Sequence, residues 1–213
     1  MKFDLLMNRI GHLPLLETGH LKAYFPGSGG LEVQLSRWVR QGKLLKIKRG
    51  VYIPAEIYRR TRLYEPYLAG VLMQPSYLSL EKALEFHNLI PEAVSIYTSV
   101  TTRSRPAKFE TPLGIFDYRH LRLSLFWGYN AVTLNGQTGF MASPEKALLD
   151  LFYLRALPAS EEAVEGLRLE NVEKLNLKKL SDYAGRFAKP KIRKAASLIR
   201  EYSRQQKSAT RVL

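Results

Sequence analysis

The side chains that could do chemistry in this sequence are few, and their spacing matches no catalytic or metal-binding motif. The four histidines, His12, His20, His87 and His120, share no metal-ligand spacing, and no cysteine is present to complete a zinc site. The sequence contains no phosphate-binding glycine loop, no nucleophile elbow and no H-E-x-x-H. We therefore expect no metal ion and no cofactor.

The acidic residues also lack the spacing of a known catalytic motif. None is followed two positions later by lysine, so the D/E-x-K element found in many nucleases is missing. Glu145 and Lys146 are adjacent, so on a helix their side chains point in different directions. Asp117 and Asp150 each stand alone in a predicted element, which is a weak basis for paired-carboxylate catalysis. The sequence predicts a protein that is not an enzyme, and a nucleic-acid-processing enzyme ranks third among the alternatives.

Positive charge is the strongest chemical signal, because it is concentrated at the two ends of the chain. The net charge is +14. Residues 1–62 carry 12 Lys and Arg against 4 Asp and Glu, and residues 178–213 carry 11 against 2, whereas residues 63–177 carry 10 against 13. Such patches suit a polyanion, since neutralising phosphates releases counterions. DNA, RNA and an acidic membrane would be attracted alike, so charge alone does not choose between them.

The segment 28–54 shows how the N-terminal charge is arranged. Its apolar residues recur at three- and four-residue spacing and predict one buried face of a helix that ends before Gly42: Leu31, Leu35, Trp38 and Val39. Two β-type runs follow, Leu44 to Ile47 and Val51 to Ile53, joined by a basic tip in which Gly50 can take a positive φ. An ordinary surface helix and hairpin is the alternative interpretation.

Two short helices are predicted before this segment, with Thr18 as a candidate N-cap of the second, so the predicted order for residues 1–62 is helix, helix, turn, helix, hairpin. That order is typical of a winged helix-turn-helix domain, in which the third helix enters the major groove. The predicted DNA-binding residues are Gln34, Ser36, Arg37, Arg40, Lys43, Lys46, Lys48 and Arg49. Candidate contacts to the DNA backbone are Arg59, Arg60, Arg62, Lys191, Lys194 and Arg200.

Residues 63–213 are predicted to form an α+β domain that ends in a basic helical segment from about residue 160. Strand-like runs between residues 94 and 141, among them Leu123–Trp127 and a hairpin at Asn135-Gly136, predict a small, mostly antiparallel sheet. Ser143 and Pro144 then open a helix as N-cap and first residue. His87 is interpreted as a hydrogen-bonded residue at a helix end.

The expected location is the cytoplasm. No apolar run approaches the roughly 20 residues of a membrane span, and the N-terminus has no uninterrupted apolar stretch of the kind found in signal peptides. The absence of cysteine fits a reducing compartment. A membrane is therefore not among the predicted partners.

Five short segments taken together resemble a known family. They are QGKLLKIKRGVYIP (41–54), QPSYLSLEKALEFHNLIPE (74–92), VTTRSR (100–105), FETPLGIFDYRHL (109–121) and ASPEKALLDLFYL (142–154). In this order the chain resembles the AbiEi-type antitoxins, the transcriptional-regulator half of type IV toxin–antitoxin systems. The part of the chain after about residue 160 carries no motif of the resemblance.

The resemblance implies an N-terminal winged helix-turn-helix that represses its own operon by binding double-stranded DNA at its promoter, at inverted repeats. It also implies a C-terminal domain that antagonises an AbiEii-like nucleotidyltransferase toxin without a stable complex. The family's DNA-binding role carries over onto residues placed in the helix-like and wing-like segments: Arg37, Arg40, Lys46, Lys48 and Arg49. The alternative function is an orphan winged-helix transcriptional regulator whose second domain serves dimerisation or ligand sensing.

Overall fold

The computed structural model describes residues 2–27 and 29–210, with side chains up to Gln206. Over these ranges the chain is a mixed α+β fold with two β-sheets, which confirms the predicted fold class at that level. Ser28, the first residue of the segment 28–54, and residues 211–213 of the predicted basic C-terminus lie outside the described residues. The chain divides into two compact units, the first reaching Tyr64 and including Glu110–Leu113 and Leu134–Gln137.

The first unit combines helices with a three-stranded antiparallel sheet of order β1-β3-β2. Its elements in chain order are α1 (Phe3–Ile10), β1 (Leu16–Glu17), α2 (Thr18–Tyr24), α3 (Leu31–Arg40), β2 (Leu44–Lys48) and β3 (Val51–Pro54). The helices and the hairpin were predicted, whereas β1 was not, because two residues are too short to show a periodic pattern. Thr18 is not an N-cap: it is the first helical residue of α2, after Glu17.

The apolar face of α3 lies in the core of this unit, as its spacing predicts. Leu31, Leu35 and Trp38 are buried, and Val39 is half-buried at the margin. The indole of Trp38 packs edge-on against the ring of Phe3, with centroids 5.3 Å apart. Such an aromatic pair adds about 0.5–1.5 kcal/mol to what burial alone contributes. The packing fixes which face of α3 remains in solvent.

The second unit contains a six-stranded sheet and the remaining helices. Its helices are α4 (Glu65–Leu72), α5 (Leu80–Phe86), α6 (Pro144–Leu154), α7 (Glu161–Glu165), α8 (Leu177–Arg186) and α9 (Pro190–Thr210). Its strands are β4 (Ser76–Leu78), β5 (Ile96–Thr101), β6 (Ala107–Thr111), β7 (Gly114–His120), β8 (Tyr129–Leu134) and β9 (Gln137–Ala142). None of the described helices is both long enough and apolar enough to cross a membrane.

The sheet predicted to be small and mostly antiparallel is a mixed six-stranded sheet: β4 and β5 are antiparallel and the β8–β9 hairpin is present, but two pairs of strands are parallel. The strand order is β6-β7-β5-β4-β9-β8, with β5 parallel to β7 and β4 parallel to β9. Only local hairpins can be inferred from neighbouring runs in a sequence, whereas parallel pairs join segments separated by a long connection. The three-residue strand β4 is buried throughout, so it shows none of the alternation that would have revealed it.

The predicted strand at Leu123–Trp127 is wrong. Residues Leu123–Leu125 form a turn of 3₁₀ helix, in which Leu125 is buried and Leu123 is 76% exposed. Apolar and polar residues alternate in this segment, as they do in a half-buried strand. The indole N–H of Trp127 instead donates to the carbonyl of Ser124, and this hydrogen bond closes a local turn. By contrast, the hairpin at Asn135-Gly136 is confirmed, with φ of 50° and 74° at these residues.

Helix α6 begins as its sequence predicts and lies in the centre of the second core. The hydroxyl of Ser143 accepts a hydrogen bond from the backbone N–H of Lys146, and Pro144 occupies the first turn. Ala147, Leu148, Leu149, Leu151 and Phe152 are all buried within the same hydrophobic cluster. Because apolar side chains surround this helix on every side, its polar residues are enclosed as well.

Candidate functional site

The solvent face of α3 carries a continuous polar and cationic stripe. Val33, Ser36, Arg37 and Arg40 follow one another at spacings of three, one and three residues, and all four are exposed. Gln34 is half-buried at the edge of this stripe. Two arginines in the last turn of a helix also complement its negative end. The stripe thus presents two fixed positive charges, a hydroxyl and one methyl-bearing side chain to solvent.

The hairpin β2–β3 adds a second group of cations directly after α3. Lys46 and Arg49 are exposed, while Lys43 and Lys48 are half-buried. A β-bulge between Lys46 and Lys48 interrupts the pairing with β3, and Ile47, the extra residue, is buried. The ammonium of Lys43 lies 5.2 Å from the centroid of the Phe3 ring, so this lysine also contacts the core.

The tip of this hairpin is anchored to the start of α2. The backbone N–H of Thr18 donates to the carbonyl of Gly50 at 2.9 Å, and its hydroxyl donates to the same oxygen at 3.2 Å. Gly50 has a φ of +77°, a conformation that L side chains rarely adopt. The glycine was predicted, but the contact with Thr18 was not, because it joins residues 32 positions apart.

The remaining predicted backbone contacts fall on two other segments. Arg60 and Arg62 are exposed, whereas the guanidinium of Arg59 donates to the carbonyl of Pro54 at 3.4 Å. On α9, Lys191 and Lys194 are exposed and Arg200 is half-buried, and the ammonium of Lys191 donates to the carbonyl of Ala156 at 2.9 Å. Arg59 and Lys191 therefore already bind backbone carbonyls.

A second polar site, missed in the sequence, lies inside the core of the second unit. The side chains of Lys146 and Asp150, one turn apart on α6, form an ion pair with no solvent exposure. The hydroxyl of Tyr77 accepts from Lys146 and donates to Asp150, each at 2.9 Å. Ser79, at the N-cap position of α5, also donates to Asp150 at 2.9 Å. We call these four residues the buried polar cluster.

Aromatic rings enclose the cationic end of the buried polar cluster. The ammonium of Lys146 lies 5.5 Å from the ring centroid of Tyr77 and 5.0 Å from those of Trp127 and Phe187. Gly128 lets the chain pass close to the lysine stem, because a Cβ there would lie 3.1 Å from Lys146 Cγ. Aromatic faces attract a cation, most strongly when it is desolvated.

Burial disfavours the charged forms of both Lys146 and Asp150. It lowers the pKa of Lys146 and raises the pKa of Asp150, and the attraction between them works against both shifts. The pKa of Tyr77 is raised above its usual range, first by burial and then by the neighbouring carboxylate. These hydrogen bonds join α6 to Tyr77 of β4 and to Ser79 at the start of α5, so the cluster holds α6 against both elements.

Glu145, the neighbour of Lys146, is the third buried charge of α6. It accepts hydrogen bonds from Ser143 at 2.9 Å and from the backbone N–H of Asn176 at 3.0 Å, and it pairs with Lys179 at 3.0 Å. Burial raises the pKa of Glu145, but these bonds outweigh it, so the pKa lies below the ordinary value. Asp117 pairs instead with Arg119, so Asp117 and Asp150 have separate partners.

The histidines and acids do not converge on a metal site. Among the described residues, no group of three His, Cys, Asp or Glu side chains is placed to hold a metal ion. The interpretation of His87 is confirmed: it follows the last residue of α5, and its Nε2 lies 2.8 Å from the carbonyl oxygen of Ala142.

Two comparisons with known proteins, one with family models and one with curated sequences, found no match for this chain. The resemblance to the AbiEi-type antitoxins therefore stays a prediction.

Proposed function

We propose that the chain is a cytoplasmic DNA-binding antitoxin of a type IV toxin–antitoxin system, and that it represses its own operon. In this proposal the first unit is a winged helix-turn-helix domain, with α3 as the recognition helix and the β2–β3 hairpin as the wing. Its element order, α1-β1-α2-α3-β2-β3, supports this interpretation because two helices precede the helix that carries the exposed arginines.

The observation that carries the proposal is the exposed stripe of α3. A helix of about 10–12 Å diameter fits the major groove, which is about 12 Å wide. Arg37 and Arg40 extend from the exposed face and are suited to guanine edges or phosphates, and the 62% exposed Val33 is suited to a thymine methyl group. Leu35 and Trp38 hold the opposite face in the core, so the stripe cannot rotate inward.

The cations of the hairpin and of the segment after β3 extend the same interface. Lys46, Arg49, Arg60 and Arg62 are exposed and suited to phosphate oxygens. Such contacts carry no sequence information, but they fix the register of a protein on the duplex. The proposal assigns base reading to α3 and backbone binding to these residues.

The DNA-binding half is tested on the DNA upstream of the chain's own gene. We expect the full chain to bind it, and Arg37→Ala with Arg40→Ala to weaken specific binding by roughly 10- to 100-fold for each guanine that is no longer bound. Fluorescence anisotropy over a range of salt concentrations measures both the affinity and its salt dependence. An unchanged affinity and salt dependence would remove α3 from the interface.

The matched control is Arg105→Ala with Arg122→Ala. It deletes the same charge from two exposed arginines of the second unit, where the sequence is slightly acidic. If the control weakened binding as much as the α3 variant, the affinity would follow net charge alone, and α3 would have no special role.

The antitoxin half is tested by co-expression with a nucleotidyltransferase encoded beside this gene. We expect the full chain to restore growth that the toxin arrests. Failure would overturn the antitoxin role and leave an orphan regulator, while the binding experiment judges DNA recognition separately. A divalent-metal-dependent nick in the bound DNA would instead support the nucleic-acid-processing enzyme.

A further inference from the structure

The sheet of the second unit opens into a cavity between two neighbouring strands. β4 and β9 are parallel neighbours, but they pair at one position, Leu78 with Met141. On the N-terminal side of this pair the strands line a cavity of about 280 Å³, which Ser76 borders on one strand and Gly139 and Phe140 border on the other. Tyr67, Gly70 and Val71 of α4 also line it.

Aromatic rings form much of the cavity wall. Tyr67, Phe126, Tyr129 and Phe140 all line it, and the residue Phe140 is 44% exposed. Phe140 meets Tyr129 edge-on at 5.8 Å between centroids, and Tyr129 stacks on the buried Tyr77 at 4.6 Å with 15° between the ring planes. Tyr129 is therefore held in place from behind, and a flat ligand would meet a wall of fixed orientation.

The polar groups of the cavity are all neutral. Gln74, Ser76 and Thr138 contribute an amide and two hydroxyl groups, and no lysine, arginine, aspartate or glutamate among the described residues lines the cavity. The hydroxyl of Ser76 donates to the carbonyl of Met73 at 2.7 Å and can still accept a hydrogen bond. The hydroxyl of Thr138 shares a hydrogen bond with that of Thr133 at 2.9 Å. A charged ligand would lose hydration here without gaining a counter-charge, whereas a neutral polar ligand can use the hydrogen-bonding capacity that remains on these side chains.

The volume limits the ligand to a small ring system. A cavity of roughly 150 Å³ holds benzene, and ligand pockets begin at about 300 Å³. A cavity of about 280 Å³ therefore suits two fused rings and excludes a larger molecule from full burial.

We propose that this cavity binds a neutral, flat, bicyclic heterocycle of the purine type. The rings stack against the aromatic wall, and the ring nitrogens and exocyclic groups hydrogen-bond with the neutral polar side chains. The inference does not rest on the proposed DNA-binding function, because every residue involved belongs to the second unit and the test contains no DNA.

Gly70 provides a variant that fills the cavity and leaves the core unchanged. It lies in α4 on the cavity wall, and an added Cβ there would meet no atom within 4 Å. Leucine also favours a helix more than glycine does. Gly70→Leu should therefore occupy the space of the ligand while the chain stays folded.

Adenine is the probe. We expect isothermal titration calorimetry on the full chain to detect one adenine site, and Gly70→Leu to weaken binding roughly tenfold or more. The anion 2-naphthoate has a similar shape but carries a carboxylate and no ring nitrogen. At high salt it should bind roughly tenfold more weakly than adenine.

A second variant keeps the proposal open to refutation if Gly70→Leu fails to fold. Phe140→Ala removes a partly exposed ring of the wall and should also weaken adenine binding, whereas Leu123→Ala removes a more exposed apolar side chain outside the cavity and should not. Absence of adenine binding up to its solubility limit, equal binding by 2-naphthoate, or unchanged binding in a folded wall variant would overturn the proposal.

Discussion

The molecule holds its charged side chains in two opposite ways. On α3 and the β2–β3 hairpin, Arg37, Arg40, Lys46 and Arg49 stand in solvent, where they remain hydrated. In the buried polar cluster, Lys146 and Asp150 are removed from water and each is surrounded by protein partners. Exposed charges cost folding little and remain available to a ligand, whereas enclosed charges already make their interactions inside the fold.

The contrast separates binding from stability. A buried ion pair adds little net stability over apolar residues of the same size, but removing one partner leaves an uncompensated charge. A surface cation can be removed at almost no cost to the fold. Variants of the buried polar cluster should therefore lower stability, whereas variants of the exposed cations should lower DNA affinity and lower stability only slightly.

The largest expected effect is on stability, from Asp150→Ala. It leaves Lys146 without its carboxylate and should lower the free energy of unfolding by about 3–5 kcal/mol, measured by urea denaturation. The double variant Lys146→Met with Asp150→Leu should recover most of this loss, because it removes both charges. Arg37→Ala with Arg40→Ala should lower stability by only about 1 kcal/mol, because each arginine loses a solvent-screened interaction with the negative end of α3. Removing one partner of a buried ion pair normally costs several kcal/mol. If Asp150→Ala lowered the free energy of unfolding by less than about 1 kcal/mol, the buried and exposed charges would not differ in their effect on stability.

A smaller effect is expected at the hairpin, and only in binding. Lys46→Ala with Arg49→Ala should reduce the slope of log affinity against log salt by about 1.8, or about 0.9 for each phosphate that is no longer neutralised. The loss of affinity should be similar on specific and unrelated DNA, because phosphate contacts carry no sequence information. If the slope stayed the same, or if specific DNA alone showed weaker binding, the hairpin would not be a backbone-binding element.

The smallest effect concerns pH and the third buried charge of α6. The pKa of Glu145 is lower in the folded chain than its ordinary value of 4.5, so its ionised form stabilises the fold above that pH. This contribution is lost as the pH falls through the folded-state pKa. Glu145→Gln should therefore be less stable than the parent at neutral pH, and the difference in the free energy of unfolding, measured by urea denaturation, should shrink in acid. A difference that grew in acid would contradict the sign of the shift.

Local features of the fold were predictable from the sequence because their causes are local. Ser143 and Pro144 start α6, Asn135-Gly136 turns a hairpin, and the spacing of Leu31, Leu35 and Trp38 marks the buried face of α3. Each of these depends on residues a few positions apart.

Features that depend on distant partners were not predictable in the same way. β1 and β4 have two and three residues and are defined by the strands beside them. For the buried polar cluster one signal was present: Lys146 and Asp150 lie one turn apart in a helix that is apolar on every side. Their burial follows from that pattern, but the contacts with Tyr77 and Ser79 do not.

The hydrogen bonds from Thr18 to Gly50 reduce the conformational entropy that the hairpin tip would lose on binding a polyanion. A free hairpin tip would lose conformational freedom on binding, at about 0.5–1.5 kcal/mol for each side chain ordered and more for the backbone. Two hydrogen bonds to one carbonyl already restrict this backbone in the unbound chain. The basic tip is thus preorganised, and substituting Thr18 with valine would loosen it without altering a single charge.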